Sequence, residues 1–238
     1  MSNYTAHLTE TLATLARIAH EHAPAVFASS LAAEDMVLTD LILSEDLPIT
    51  IFTLDTGRLH AETLQMIERV QDRYGYGIKI YRPDDAAVAA YVAQSGLNGF
   101  YDGIEQRKEC CRIRKVEPLA RALAGSKAWL TGQRRAQAAT RAELPVEEFD
   151  SAHGMAKFNP LADWSEDDVW HYLKSRHVPY NPLHDRGYPS IGCEPCTRAI
   201  QPGEDIRAGR WWWEQPESKE CGLHFVDGKL VRAKQVTT

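Results

Sequence analysis

The stretch Pro48-Ile49-Thr50-Ile51-Phe52-Thr53-Leu54, followed by Asp55-Thr56-Gly57, decides the fold. After the proline every residue is β-branched, aromatic or leucine, and Asp-Thr-Gly supplies a turn, so a buried strand is predicted, with a helix from about His60 to Tyr74 behind it. The same unit stands just upstream. Ala25-Val26-Phe27-Ala28 is a short apolar run, and Ser29-Ser30-Leu31-Ala32-Ala33-Glu34-Asp35 leads from it into an apolar helix over Met36 to Leu43. Downstream, Ile78 to Tyr81 predicts a third strand, Asp85 to Gln94 a third helix, and Ala128-Trp129-Leu130-Thr131 a fourth strand after a long helical stretch. Strands alternating with helices imply an α/β fold, a parallel sheet with helices on both faces. Leu8, Leu12, Leu15, Ile18 and Ala19 recur at helical spacing, so the first twenty residues read as an amphipathic helix that ends near Pro24.

In such a sheet ligands collect at the carboxyl ends of the strands. Three loops fall there: Ser29 to Asp35, Asp55 to Gly57, and Gly132 to Gln137. The first has the make-up of a phosphate cradle, since small residues let backbone N–H groups approach an anion at a helix start. A serine-rich helix cap is the plainer alternative. After Pro160 the alternation stops: Ser165-Glu166-Asp167-Asp168 resembles a capping box for a helix over Val169 to Ser175, and Asn181 to Pro189 reads as loop. Residues 1–200 are expected to form one domain, and 201–238, with Trp211-Trp212-Trp213, a mobile carboxyl-terminal tail; packing of the tryptophans is the alternative.

Composition narrows the function. With 44% hydrophobic and 25% charged residues the 238-residue chain has a globular make-up. Met1 to Glu10 lacks a basic segment followed by an apolar block, and no apolar run reaches membrane-span length, so a cytoplasmic protein without membrane contact is expected. The net charge of −6 argues against a nucleic-acid partner. Yet between Arg107 and Arg141 ten Lys or Arg face only Glu109 and Glu117, which suits a small anionic ligand or a solvated helix face.

The chain has five cysteines. Cys110 and Cys111 are adjacent, Cys193-Glu194-Pro195-Cys196 is a C-x-x-C pair, and Cys221 stands apart in Glu220-Cys221-Gly222-Leu223-His224. Without a secretory pattern they fit metal or redox chemistry better than a disulfide framework. Adjacent cysteines on a helix point about 100° apart. They therefore suit a bulky four-iron cluster with several corners better than one tetrahedral zinc, which stays an alternative together with buried free thiols. Cys221, with its charged neighbours, is a candidate nucleophile.

These residues resemble a known family. Ala33-Glu34-Asp35, Leu54-Asp55-Thr56-Gly57, Lys108-Glu109-Cys110-Cys111-Arg112-Ile113-Arg114-Lys115, Gly132-Gln133-Arg134-Arg135, Tyr188 through Cys196, and Glu220 through His224 resemble the assimilatory sulfonucleotide reductases, specifically the iron-sulfur-containing adenosine 5′-phosphosulfate (APS) reductases. The resemblance implies an adenine-nucleotide α-hydrolase-like fold with a modified PP-loop. It also implies a [4Fe-4S] cluster on Cys110, Cys111, Cys193 and Cys196, and a homo-oligomer. Cys221 would attack the sulfur of APS and expel AMP, leaving an S-sulfocysteine from which thioredoxin releases sulfite, in the sulfate assimilation that feeds cysteine biosynthesis. Lys115 and His224 would join Cys221 in catalysis, Ser29, Glu34, Asp35 and Leu54 to Gly57 would hold the nucleotide, and Arg134, Arg135, Arg141, Arg207 and Arg210 would clamp the anionic groups. Lys115, one helical turn after Cys111, would face both cluster and substrate. Ala32 stands where relatives often carry glycine, which restricts backbone approach. Rival readings are a 3′-phosphoadenosine 5′-phosphosulfate (PAPS) or dual-substrate reductase, a PP-loop tRNA-thiolating enzyme, and a zinc-stapled binding module.

Overall fold

The computed structural model describes residues 3–138 and 141–215. Its sheet has six strands: β1 Ala25–Ala28, β2 Ile49–Leu54, β3 Lys79–Tyr81, β4 Ala128–Leu130, β5 Glu147–Asp150 and β6 Met155–Phe158, in spatial order β3-β2-β1-β4-β6-β5. All neighbours are parallel except β5 and β6. The four expected strands all lie in the parallel part, which β6 extends by pairing parallel with β4. The β5–β6 hairpin is an addition: Glu147-Glu148-Phe149-Asp150 is acidic edge sequence without an apolar run, and its pairing is fixed by register against β6.

The order of strands sets where a ligand can go. From β1 the chain builds outward through β2 to β3, then returns to place β4 on the other side of β1. Connections diverge at the carboxyl ends of β1 and β4, and a crevice opens there.

Helices α1 Tyr4–Glu21, α2 Ala33–Ser44, α3 Ala61–Tyr74, α4 Asp85–Ser95, α5 Ile104–Cys111, α6 Glu117–Leu123 and α7 Glu166–Ser175 cover the sheet. Every residue of α2 from Ala33 to Ile42 is buried, so its polar groups must be paired inside the protein. Asp40 accepts hydrogen bonds from Tyr74 (2.8 Å) and Tyr172 (2.6 Å), and the Thr39 hydroxyl donates to the Asp35 carbonyl (2.7 Å). Helix α7 has its capping box between Ser165 and Asp168 and starts at Glu166. Between α5 and α6, Arg112–Val116 form a π-helical turn, a wider winding that is rare outside functional sites.

Within the expected tail, Arg210 to Glu214 pack onto the cysteine region. Thr197 pairs with Arg210, the Trp211 amide donates to the Cys196 carbonyl (3.0 Å), and Trp211 is buried. No helix among the described residues is long and apolar enough to cross a membrane.

Candidate active site

A cavity of about 240 Å³ fills the crevice beyond β1, β2 and β4. The loop after β1 forms one wall. It carries Leu31 in the left-handed region at φ 63°, a costly conformation for a branched residue. Asp35, in the first turn of α2, clamps the loop: its carboxylate accepts from the Ser30 amide (2.6 Å) and hydroxyl (2.5 Å), and a further hydrogen bond comes from the Gly132 amide. Burial pushes the Asp35 carboxyl up to about 6, against the opposing pull of those Ser30 hydrogen bonds. A Cβ at Gly132 would collide with this carboxylate, so only glycine lets the β4 loop close on the β1 loop.

The phosphate-cradle expectation needs correction here. The amides of Ser30, Leu31 and Ala33 are already taken by Asp35, by the Ser29 hydroxyl (3.2 Å) and by the His184 ring (3.1 Å). Glu34 and Asp35 also place two carboxylates at the start of α2, where the helix dipole would otherwise draw an anion. Four cationic side chains, Lys115, Arg141, Arg207 and Arg210, line the same cavity. The cavity is thus lined by both carboxylates and cations.

Of the residues expected at the substrate, Ser29, Glu34, Asp35, Leu54, Thr56, Lys115, Arg141, Arg207 and Arg210 line this cavity. Asp55, Gly57, Arg134 and Arg135 stand behind it. Asp55 accepts from the Gly57 amide (3.0 Å) and from Arg82 (3.0 Å), shaping the turn after β2. Arg134 is buried, with Nε and Nη2 on Glu34 Oε1 (3.1 and 2.7 Å) and Nη1 on the Trp164 carbonyl (3.3 Å). It cross-links the β1 and β4 loops. Arg135 pairs outward with Asp163 and the Leu144 carbonyl. Cys221 and His224 lie outside the described residues.

The basic run divides in the same way. Lys108, Arg112 and Arg121 form exposed pairs with Glu105, Glu109 and Glu117, the solvated face of the plainer reading. Arg107 and Arg114 turn inward, Arg114 donating to the Thr56 carbonyl (2.7 Å).

Cys110, Cys111, Cys193 and Cys196 line a second cavity, which shares Lys115, Arg210 and Trp211 with the first. The C-x-x-C segment docks on the β2 loop: Leu59 pairs with Cys193, the Glu194 amide donates to the Arg58 carbonyl (2.8 Å), and Cys193 Sγ meets the Thr56 hydroxyl at 3.3 Å. Burial raises the Cys110 thiol, and burial with the neighbouring Cys193 pushes Cys196 up to about 12. Such thiols stay protonated and inert on their own, and a metal centre is what would draw out their protons. The donor set fits an iron-sulfur group on three counts: four thiols on one cavity, cationic Arg58, Arg107, Arg114, Lys115 and Arg210 around them, and the buried Trp211 indole N–H without a hydrogen-bond partner among the described residues. Among the described residues no three His, Cys, Asp or Glu side chains are placed to hold a single metal ion. The sequence does not single out Trp211, in the left-handed region at φ 40°, beyond the Trp-Trp-Trp run, and it marks Arg107 and Arg114 only as members of the basic run, without their inward direction.

The chain is similar to several known proteins. Residues 24–199 match the phosphoadenosine phosphosulfate reductase domain. The adenosine 5′-phosphosulfate reductase of Burkholderia cepacia is 67% identical over 214 residues, covering 90% of this chain and 86% of the relative. A crystal structure of phosphoadenylyl-sulfate (PAPS) reductase from Candida auris, a phosphate complex, superposes with a TM-score of 0.69 at 25% identity, over 83% of this chain and 94% of that one. The FMN adenylyltransferase of Candida glabrata, TM-score 0.54 at 18% identity over 92% of this chain and 78% of that one, shares the fold.

Proposed function

This chain belongs to the phosphoadenosine phosphosulfate reductase family, and from that premise we propose that it reduces adenosine 5′-phosphosulfate to sulfite and AMP in sulfate assimilation. The observation that carries the reading is the pair of cavities: a cleft of nucleotide size, lined by carboxylates and cations, shares Lys115, Arg210 and Trp211 with a four-cysteine pocket.

The charge pattern orients the substrate. A nucleoside, with its hydroxyl and amino donors, suits carboxylates such as Glu34 and Asp35, whereas the phosphosulfate needs cations such as Lys115, Arg141, Arg207 and Arg210. These cations neutralise the phosphate that leaves. The thiolate of Cys221 attacks the sulfur, the bond from sulfur to the phosphate oxygen breaks, and AMP departs with that electron pair. Cys221 then carries an S-sulfo group, and a dithiol reductant of the thioredoxin class attacks its Sγ. Sulfite leaves, and the reductant supplies two electrons as it closes its own disulfide. His224, three residues after Cys221, is assigned to the same catalytic segment by its motif.

Cys110, Cys111, Cys193 and Cys196 would hold a [4Fe-4S] cluster, which supplies a fixed charge centre on the far side of the Lys115 wall. Lys115 holds its ammonium between the two cavities, and Arg114 holds the Thr56 turn against Cys193. Reduced thiols of this kind suit the cytoplasm.

The test is sulfite release from APS and from PAPS by anaerobically purified protein with thioredoxin, alongside its iron content. Iron with a strong APS preference is expected. Equal turnover of PAPS would move the substrate assignment, and inactivity toward both would overturn the reading.

A further inference from the structure

We propose that His184 is a positioning residue for the nucleotide, acting as the amino-terminal cap of α2 from 151 positions away in sequence. Helix α2 needs such a partner. Its cap position is Ala32, which has no side-chain acceptor, and its first amide, that of Ala33, is buried. An unpaired buried amide is costly, and the usual remedy is a Ser, Thr, Asp or Asn at the cap. Here Nε2 of His184 accepts from the Ala33 N–H at 3.1 Å.

The ring is built to accept. The Tyr188 backbone takes a hydrogen bond from the imidazole, which places the proton on the other nitrogen and leaves the Nε2 lone pair for Ala33. The ring packs edge-on against Trp170, with centroids 5.4 Å apart. Burial keeps it neutral by lowering its proton affinity, opposed by the carboxylates of Glu34, Asp185 and Glu166; beyond Glu34 stands its ion-pair partner Arg134, and Asp35 is on the same first turn of α2.

His184 does not itself line the nucleotide cavity, but what it holds does. Ser30 and Ala32 on one side of the contact, and Glu34 and Asp35 on the other, all face the cavity. Between them Leu31 sits in a strained left-handed conformation that persists only if the surroundings fix it. Asp35 fixes the loop at Ser30, and His184 fixes it at Ala33. Loss of the acceptor lets α2 fray at its start and the wall that receives the nucleoside lose its shape.

This inference rests on the nucleotide reading of the cavity, and AMP as a binding probe separates the two. Dissociation constants for AMP are measured by calorimetry for the full-length wild-type protein, His184→Leu and His184→Gln, with the turnover of APS split into kcat and KM. His184→Leu should weaken AMP by about 10-fold and raise KM more than it lowers kcat, the size of effect that loss of a helix cap gives. His184→Gln, which keeps an acceptor, should stay within about 3-fold. Equal weakening in both variants would show that ring packing alone matters and would overturn the proposal. So would unchanged affinity in His184→Leu. Failure of the wild type to bind AMP would instead overturn the nucleotide reading, and this inference with it. If His184→Leu does not fold, the pH profile decides: wild-type AMP affinity should fall faster on acidification below pH ~6.5 than that of His184→Gln, because a protonated imidazole cannot accept. Asp35 and the AMP phosphate titrate alike in both proteins, so identical profiles would exclude the role.

Discussion

Arg107 on α5 and Glu214, 107 residues later, form a 2.6 Å ion pair at 1% and 4% side-chain exposure. The pair fastens the helix that bears Cys110 and Cys111 to the segment that leads toward Cys221. Arg107 also lies 4.7 Å from the Trp211 ring, and Arg210 lies 4.7 Å from the same ring. Glu214→Gln breaks a buried ion pair and should cost about 3–5 kcal/mol of stability. A urea midpoint unchanged from wild type would contradict this.

Arg134 and Arg135 are neighbours with opposite fates. Arg134, 2% exposed, is held by Glu34, whereas Arg135 pairs with the half-exposed Asp163. Arg134→Met should destabilise by about 3 kcal/mol and weaken nucleotide binding, because it frees a buried Glu34 carboxylate. Arg135→Ala should cost under about 1 kcal/mol and leave KM near wild type. Thermal melts and KM values for both variants check the contrast.

Gly132→Ala should force the β1 and β4 loops apart, since its methyl group would meet the Asp35 carboxylate. Overpacking of this kind predicts a rise in KM of roughly 10-fold with iron content unchanged. The measurement is steady-state turnover beside iron analysis, and an unaltered KM would mean that the clamp does not shape the site.

Asp35 predicts a pH dependence of definite sign. Its folded pKa, about 6, lies above the ordinary value of 3.8, so the folded protein binds this proton more tightly than the unfolded chain. The contribution is full below the unfolded value and is lost as pH rises through about 6, a swing of roughly 3 kcal/mol. Asp35→Asn cannot titrate. The stability difference between wild type and Asp35→Asn should therefore shift against the wild type from pH 4 to pH 7, and a flat difference would refute the assignment.

Cys196→Ala should lose iron and melt at lower temperature, because metal binding at a buried thiolate set is coupled to folding. Cys221→Ser should keep iron and AMP binding yet release no sulfite. Full turnover in Cys221→Ser would remove that residue from the mechanism.

Much of this was legible in the chain. Strands β1 to β4, the loops at their carboxyl ends and the cysteine set follow from apolar runs, turn residues and spacing, which are local properties. The β5–β6 hairpin was not legible, because an acidic edge strand has no apolar signature and exists through its partner. The arginines show the same limit. Arg134, Arg135 and Arg141 look alike in sequence, yet one is buried on Glu34, one points outward to Asp163, and one lines the cavity beside Gln137.

The sequence by itself determined strands β1 to β4, the family and which cysteines group, since hydrophobic period and motif spacing are written along the chain. Only the tertiary structure decided that Arg210 and Trp211 join Lys115 in lining both cavities, that Asp35 locks Ser30 to Gly132, and that His184 caps α2. Those relationships join residues up to 151 positions apart. Burial and hydrogen-bond partners are set by what the folded chain brings alongside, and no local pattern carries that.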